Sequence, residues 1–195
     1  PPVLDGVVQP GEYGVHANGE NQESVTLSDP TSTTWYMTWT DTHLYVAVTA
    51  ANAAEGVVLF IDHAPLSQSN SGTSADGTIV NPVYDNTQAG TLPIRADFVA
   101  YVKAGYNEYR TSNGANGWSQ EVAGALAVQT SGTTREIAIP WSLIRTGGRP
   151  GAFSWLGYAT SSTGFLYGEM PPGNPHGMAA SPAFGWYFAV PNATP

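Results

Sequence analysis

The 195 residues contain no cysteine. That absence removes a disulfide framework, a zinc–thiolate site and a cysteine nucleophile together. Charge is the second scarcity: 11% of residues are charged, where about a quarter is usual. Lys103 is the single lysine, and 6 basic residues stand against 15 acidic ones for a net charge of −9. With no basic stripe to neutralise phosphates, nucleic acid is excluded as a partner, and anionic lipid headgroups are disfavoured. No apolar run approaches the roughly 20 residues of a spanning helix, so no membrane insertion is expected. Missing too are a GxSxG elbow, a P-loop, a Gly-rich dinucleotide turn and an HExxH pair. Glu121 and Glu136 are the carboxylates considered for a glycosidase-like pair, but spacing alone does not bring them together. The chain is read as a non-enzyme.

What is present favours pleated sheet. The 22 Gly and 15 Pro interrupt helices, while Thr, Val, Tyr and Trp suit strands. The expected fold is all-β: a two-sheet antiparallel sandwich of jelly-roll type with long loops, one domain over 1–195 with Pro-rich termini. Pro1-Pro2 and the closing PNATP are expected to bound a mature or trimmed fragment. In WYMTWTDTHLYVAV (35–48), Trp35 and Trp39 share one strand face and Tyr36 takes the other; Leu44, Val46 and Val48 share a face of the next strand. The break Thr40–His43 fits a hairpin loop, with Asp41 bonding the backbone ahead of it. VVLFID (57–62) is apolar on both faces, as for a strand covered on each side. Further strands are expected at 24–27, 94–104, 118–130 (broken or bulged at Gly124), 133–140, 151–161 and 184–190. PWSLI begins a single helical turn with Pro140 at its start. The connection 63–93 has no sustained periodicity and reads as a binding loop.

The order of segments is informative: LDG with Glu12-Tyr13, the Trp-rich strand leading to LYVAV, then VVLFID, ADFVAYV, GWSQEVAG and REIAIPWSLI. This series resembles the family 9 carbohydrate-binding modules and the wider DOMON-like sandwiches, over about residues 3–161. The resemblance implies a secreted, extracellular, non-catalytic domain that binds carbohydrate and commonly contains calcium. Sugar-binding members clamp a saccharide end between two tryptophans. Here the position near the acidic-aromatic pair is Tyr13, and Tyr84 is the only aromatic of the long connection.

From the residues themselves, a sugar site needs a flat ring plus amides or carboxylates. Tyr13, Tyr84, Asn81, Asp85 and Asn86 supply these if the 63–93 connection folds back over the first turn. Trp118, beside the Asn/Gly-rich 105–117, is the tryptophan expected nearest to solvent. Calcium takes six to eight oxygens, and Asp62, Asp76, Asp85 and Asp97 are the ligands expected to converge. A haem site of Met37, Met170, Met178 and His176 is a minor alternative. The rival class is a structural or adhesive subunit whose neighbours are copies joined through edge strands, with Val3–Gln9 and FGWYFAV (184–190) the segments expected to reach across.

Overall fold

The computed structural model describes residues 1–14, 22–26, 33–65, 76–82, 84–86 and 90–195. For 22–26 only the backbone is described. His16 and Leu27, the end of one expected strand, lie outside these residues.

The chain is an antiparallel β-sandwich. The smaller sheet runs β1 (Gln22–Thr26), β2 (Thr34–Trp39), β3 (His43–Thr49), β11 (Thr134–Pro140), β10 (Ala127–Ser131) in spatial order. The larger runs β14 (Gly177–Met178), β13 (Phe165–Met170), β12 (Phe153–Thr160), β4 (Gly56–Asp62), β7 (Phe98–Lys103), β8 (Tyr106–Thr111), β9 (Val122–Ala123), and β15 (Phe188–Val190) pairs with the first half of β12. β5 (Thr78–Asn81) and β6 (Gly90–Ala96) form a separate hairpin. The only described helix is one turn, α1 (Trp141–Ile144), and Pro140 precedes it as expected.

Alternation decides what each strand buries. Trp35, Met37 and Trp39 of β2 pair with Val48, Val46 and Leu44 of β3, and Val46 and Leu44 pair with Ile137 and Ile139 of β11. All eight side chains enter the space between the sheets. There Trp35 meets Trp155 at 5.9 Å between ring centroids, and Trp39 meets Phe153 edge-on at 5.2 Å. A buried indole must place its N–H. Trp35 donates to the Gly168 carbonyl, Trp39 to that of Ala193 and Trp141 to that of Thr40, at 2.9–3.0 Å. The tryptophans of the opening stretch are packing residues.

Such close packing makes Gly157 of β12 a constrained position. A Cβ there would lie 2.4 Å from Cη2 of Trp35, and a fully buried indole has no space to retreat. We therefore expect Gly157→Ala to cost about 1–3 kcal/mol through overpacking, read as a lowered urea midpoint at unchanged m-value.

A second core lies on the outer face of the larger sheet. Val58 and Phe60 of β4, Val99 and Tyr101 of β7, and Leu156 and Tyr158 of β12 are covered by Leu92 and Ile94 of β6, with Tyr84 and Phe184. This is why every residue of β4 is buried and why its sequence is apolar on both faces. It also corrects the reading of the long connection: its described part forms β5 and much of β6, and closes the second core. The run expected as one strand over 94–104 divides at Asp97, where β6 leaves the hairpin and β7 enters the sheet.

One other local expectation changes. In the β2–β3 turn the hydroxyl of Thr40, not Asp41, accepts from the backbone of Thr42 and His43, while Asp41 pairs with Arg149. Of the two readings of 118–130 the two-strand one holds: Gly124, at φ 73°, lies between β9 and β10, one at an edge of each sheet. Within the one chain, the backbone N–H groups of Asp5 and Gly6 reach Glu136 of β11, and Phe188–Val190 of FGWYFAV pair with β12 as β15.

Candidate functional site

The structure places the expected ligand residues on two faces. Tyr13 is 2% exposed on the outside of the smaller sheet. Its ring lies 5.8 Å from that of Tyr36, and its hydroxyl donates to Oε1 of Glu136 at 3.0 Å. Tyr84 is 7% exposed on the outside of the larger sheet, stacked on Tyr101 at 4.6 Å and 9°. Its hydroxyl faces Glu108, which also accepts from Tyr106 and Arg110. The main core separates Tyr13 from Tyr84, so the expected meeting of the first turn and the long connection does not occur. Two apolar surfaces needed covering, and each tyrosine covers one.

The polar partners are similarly engaged. Asn81 is fully buried and accepts from the Tyr158 hydroxyl. Asp85 accepts from the Tyr101 hydroxyl, and the exposed Asn86 donates to the Ser162 carbonyl. Trp118 is half-buried, with its ring 6.1 Å from Phe60 and its Nε1 donating to the Val80 carbonyl. It pins the β5–β6 hairpin to the sheet.

Of the expected calcium ligands, Asp62 accepts from the backbone N–H of Ala64 and Asp97 from that of His63, and the charge of Asp76 acts on Asp97. Burial raises the Asp97 pKa most; His63, through charge and its backbone N–H, opposes that rise. Asp85 belongs to the tyrosine cluster instead. Among the described residues no three His, Asp or Glu side chains assemble into a set able to hold a metal ion. Met37 and Met170 fill the main core, Met178 is exposed, and His176 contacts Glu169. The four groups named for haem are thus split between interior and surface.

Burial of the tyrosines has a measurable consequence. Tyr13, Tyr84, Tyr101, Tyr158 and Tyr167 all have phenol pKa values raised well above 10, with desolvation the largest cause in each. A folded-state pKa raised above the unfolded value contributes stability that is complete below about pH 10 and is lost as the pH climbs beyond it. In an alkaline titration, phenolate absorbance from these five should appear together with loss of native circular dichroism. Early ionisation in a still-folded chain would contradict the packing described.

The two most exposed aromatics among the described residues, ahead of Phe165 on β13 and Tyr106 on β8, lie in the segment before β15. Trp186 is 62% exposed and Tyr187 46%. Asn174, 5% exposed, holds this segment: its Oδ1 accepts from the N–H groups of Gly185 and Trp186, and its Nδ2 donates to the Trp186 carbonyl, all at 3.0 Å. The Nε1–Cδ1 edge of the indole passes over Gly173, where a Cβ would stand 3.2 Å from Nε1. The backbone is therefore clamped from the interior while the ring remains outside. Beside it a cleft of about 430 Å³ is lined by Ile79, Leu92, Pro93, Gly185 and Tyr187. That volume is within the range of small-ligand sites, and among the described residues no charged side chain lines it. A smaller cavity of about 160 Å³ shares Tyr187. A third, polar one of about 260 Å³ lies at His63, Asp97, Ser112 and Ser142.

Sequence reasoning missed Trp186 and Tyr187 because FGWYFAV alternates like a strand, and alternation turns one of two neighbours inward. Only Phe188–Val190 pair as a strand. The signal that was available is Asn174 within MPPGNPHGM, a polar side chain in a Pro/Gly-rich stretch that requires a backbone partner when buried.

These observations define an all-β sandwich with one clamped, solvent-facing aromatic pair beside an uncharged cleft. No family model, curated protein or solved structure matches the chain.

Proposed function

We propose that this chain is an extracellular, non-catalytic carbohydrate-binding domain whose ligand lies on Trp186 and Tyr187. The exposed Trp186, with its backbone fixed by Asn174, is the observation that carries the reading. Saccharide rings present faces of C–H groups that pack on an indole or phenol, and their hydroxyls find partners in the Tyr187 phenol and nearby backbone groups. A cleft without charged walls, on a chain of net charge −9, suits neutral sugars better than sulfated or uronic ones. Extracellular action is part of the same proposal and accords with the Thr/Ser/Asn-rich, lysine-poor composition.

The experiment is a neutral-glycan array followed by calorimetric titration of any hit. Binding lost in Trp186→Ala and Tyr187→Ala but kept in Tyr84→Phe and Tyr13→Phe supports the proposal. No neutral glycan bound, or binding indifferent to Trp186, defeats it.

A further inference from the structure

β10 ends the smaller sheet, and among the described residues no strand pairs with its outer edge. Its inner edge is regular: Ala127–Ser131 pair one-to-one with Ala138–Thr134 of β11, without a bulge. Open edges expose a row of unpaired N–H and C=O groups, and proteins commonly blunt them with lysine, proline, bulges or very short strands. The other edges have such protection. β9 and β14 are two residues long, β9 follows Glu121, which pairs with Arg110, and β1 contains Glu23. β10 has none of these, and the N-terminal segment meets it at its Ser131 end, where a Cβ on Gly6 would stand 2.8 Å from the Ser131 Cβ. Four of its five residues are exposed, and Val128 is half-buried. The whole run Val122–Thr134, between Glu121 and Arg135, lacks charge and proline.

We infer that this edge is a self-association surface, and that its occupant is β10 of a second copy, antiparallel about a two-fold axis. Two chains of net charge −9 repel one another, but the edge strand itself carries no charge, residues 122–134 having none, and the charges on the strand beside it, Glu136 and Arg135 opposite Gln129 and Thr130, are of opposite sign. Pairing centred on Gln129 sets Gln129 opposite its own copy, Val128 opposite Thr130 and Ala127 opposite Ser131. No like charges face each other, and small or polar neutral side chains meet throughout. Each copy offers the same patch, as an isologous dimer requires. Two five-stranded sheets then join as one. An edge of five residues buries less than the roughly 1,200 Å² of stable interfaces, so the dimer is weak and concentration-dependent.

Sedimentation velocity on the full chain tests this, between about 10 μM and about 1 mM, where weak interfaces dissociate. The weight-average mass should rise from 20.5 kDa toward twice that value. Gln129→Lys, which sets two ammonium groups opposite each other, and Thr130→Lys should both hold it at the monomer value with unchanged melting temperature. Hydrogen exchange of the wild type should show added protection over 127–131 at high concentration, and Trp186→Ala should still associate. A mass fixed at the monomer value throughout, lysine variants that associate like the wild type, or protection confined to other segments would each overturn the inference. So would loss of association in Trp186→Ala.

Discussion

Trp186→Ala is expected to weaken neutral-glycan binding about 10–100-fold with little loss of stability. The magnitude follows from the area a saccharide covers: removing an aromatic side chain from water contributes about 1.5–3 kcal/mol, and each 1.4 kcal/mol is about tenfold in affinity. The small effect on folding follows from geometry. The indole is 62% exposed, and Asn174 holds the segment through the backbone N–H of Gly185 and the N–H and C=O of Trp186, which alanine retains. Binding and folding are therefore separable at this position. Trp186→Phe, which keeps a flat ring of smaller area, should bind with intermediate affinity. Asn174→Ala should weaken binding without removing any group that faces the ligand, because the ring would then be held less firmly. Calorimetric titration with melting curves on the same variants reads both quantities. A Trp186→Ala protein that binds as well as the wild type would show that the ligand site lies elsewhere.

Glu136→Ala should give the largest loss of stability, about 2–4 kcal/mol. Glu136 is fully buried on the outward side of β11. One carboxylate oxygen accepts the backbone N–H of Asp5 at 3.0 Å and of Gly6 at 2.8 Å; the other accepts the Tyr13 hydroxyl at 3.0 Å. Hydrogen bonds to a charged group contribute about 1.5–3 kcal/mol each, and a buried donor left without a partner costs about 1–3 kcal/mol. The sum is not fully realised, because the N-terminal segment can move into water when its anchor is gone. Glu12 holds the same segment from within, accepting from the N–H groups of Val3 and Gln9. Glu136→Gln should be milder, since an amide oxygen still accepts. Urea denaturation would measure the difference, and hydrogen exchange over residues 3–9 would show whether the segment has detached. A near-neutral Glu136→Ala would mean that this segment contributes little to the stability of the sandwich.

The same residues show how much was legible beforehand. Alternation alone assigns Trp35, Trp39, Val46 and Ile137 to the core, and the facing sheets bury them as that pattern requires. VVLFID was read as covered on both sides, and it is. Tyr13 and Tyr84 read as ligand residues because the resemblance places an aromatic clamp at those segments and a phenol ring suits a sugar face, yet both lie outside the regular strands. Such a segment can cover an apolar face as readily as it can form a site. Sequence spacing does not distinguish the two, since the surface in need of cover is made by strands far away in the chain: Tyr36 and Glu136 for Tyr13, Tyr101 and Glu108 for Tyr84. Trp186 met the opposite fate. Its segment alternates like a strand, but Asn174 captures the backbone and leaves both aromatics outside.

Composition and periodicity by themselves determined that this chain is β-rich, that it lacks the charge pattern for nucleic acid, and which rings its strands turn inward. These are local consequences of strand geometry: side chains alternate with a period of two, and Gly and Pro interrupt helices. Tertiary structure alone decided which loops became cover and which edge stayed open. It also decided which aromatic pair faces water, because each of these depends on contacts between residues distant in sequence. A buried carboxylate or amide chooses its backbone partners only once the sheets have formed.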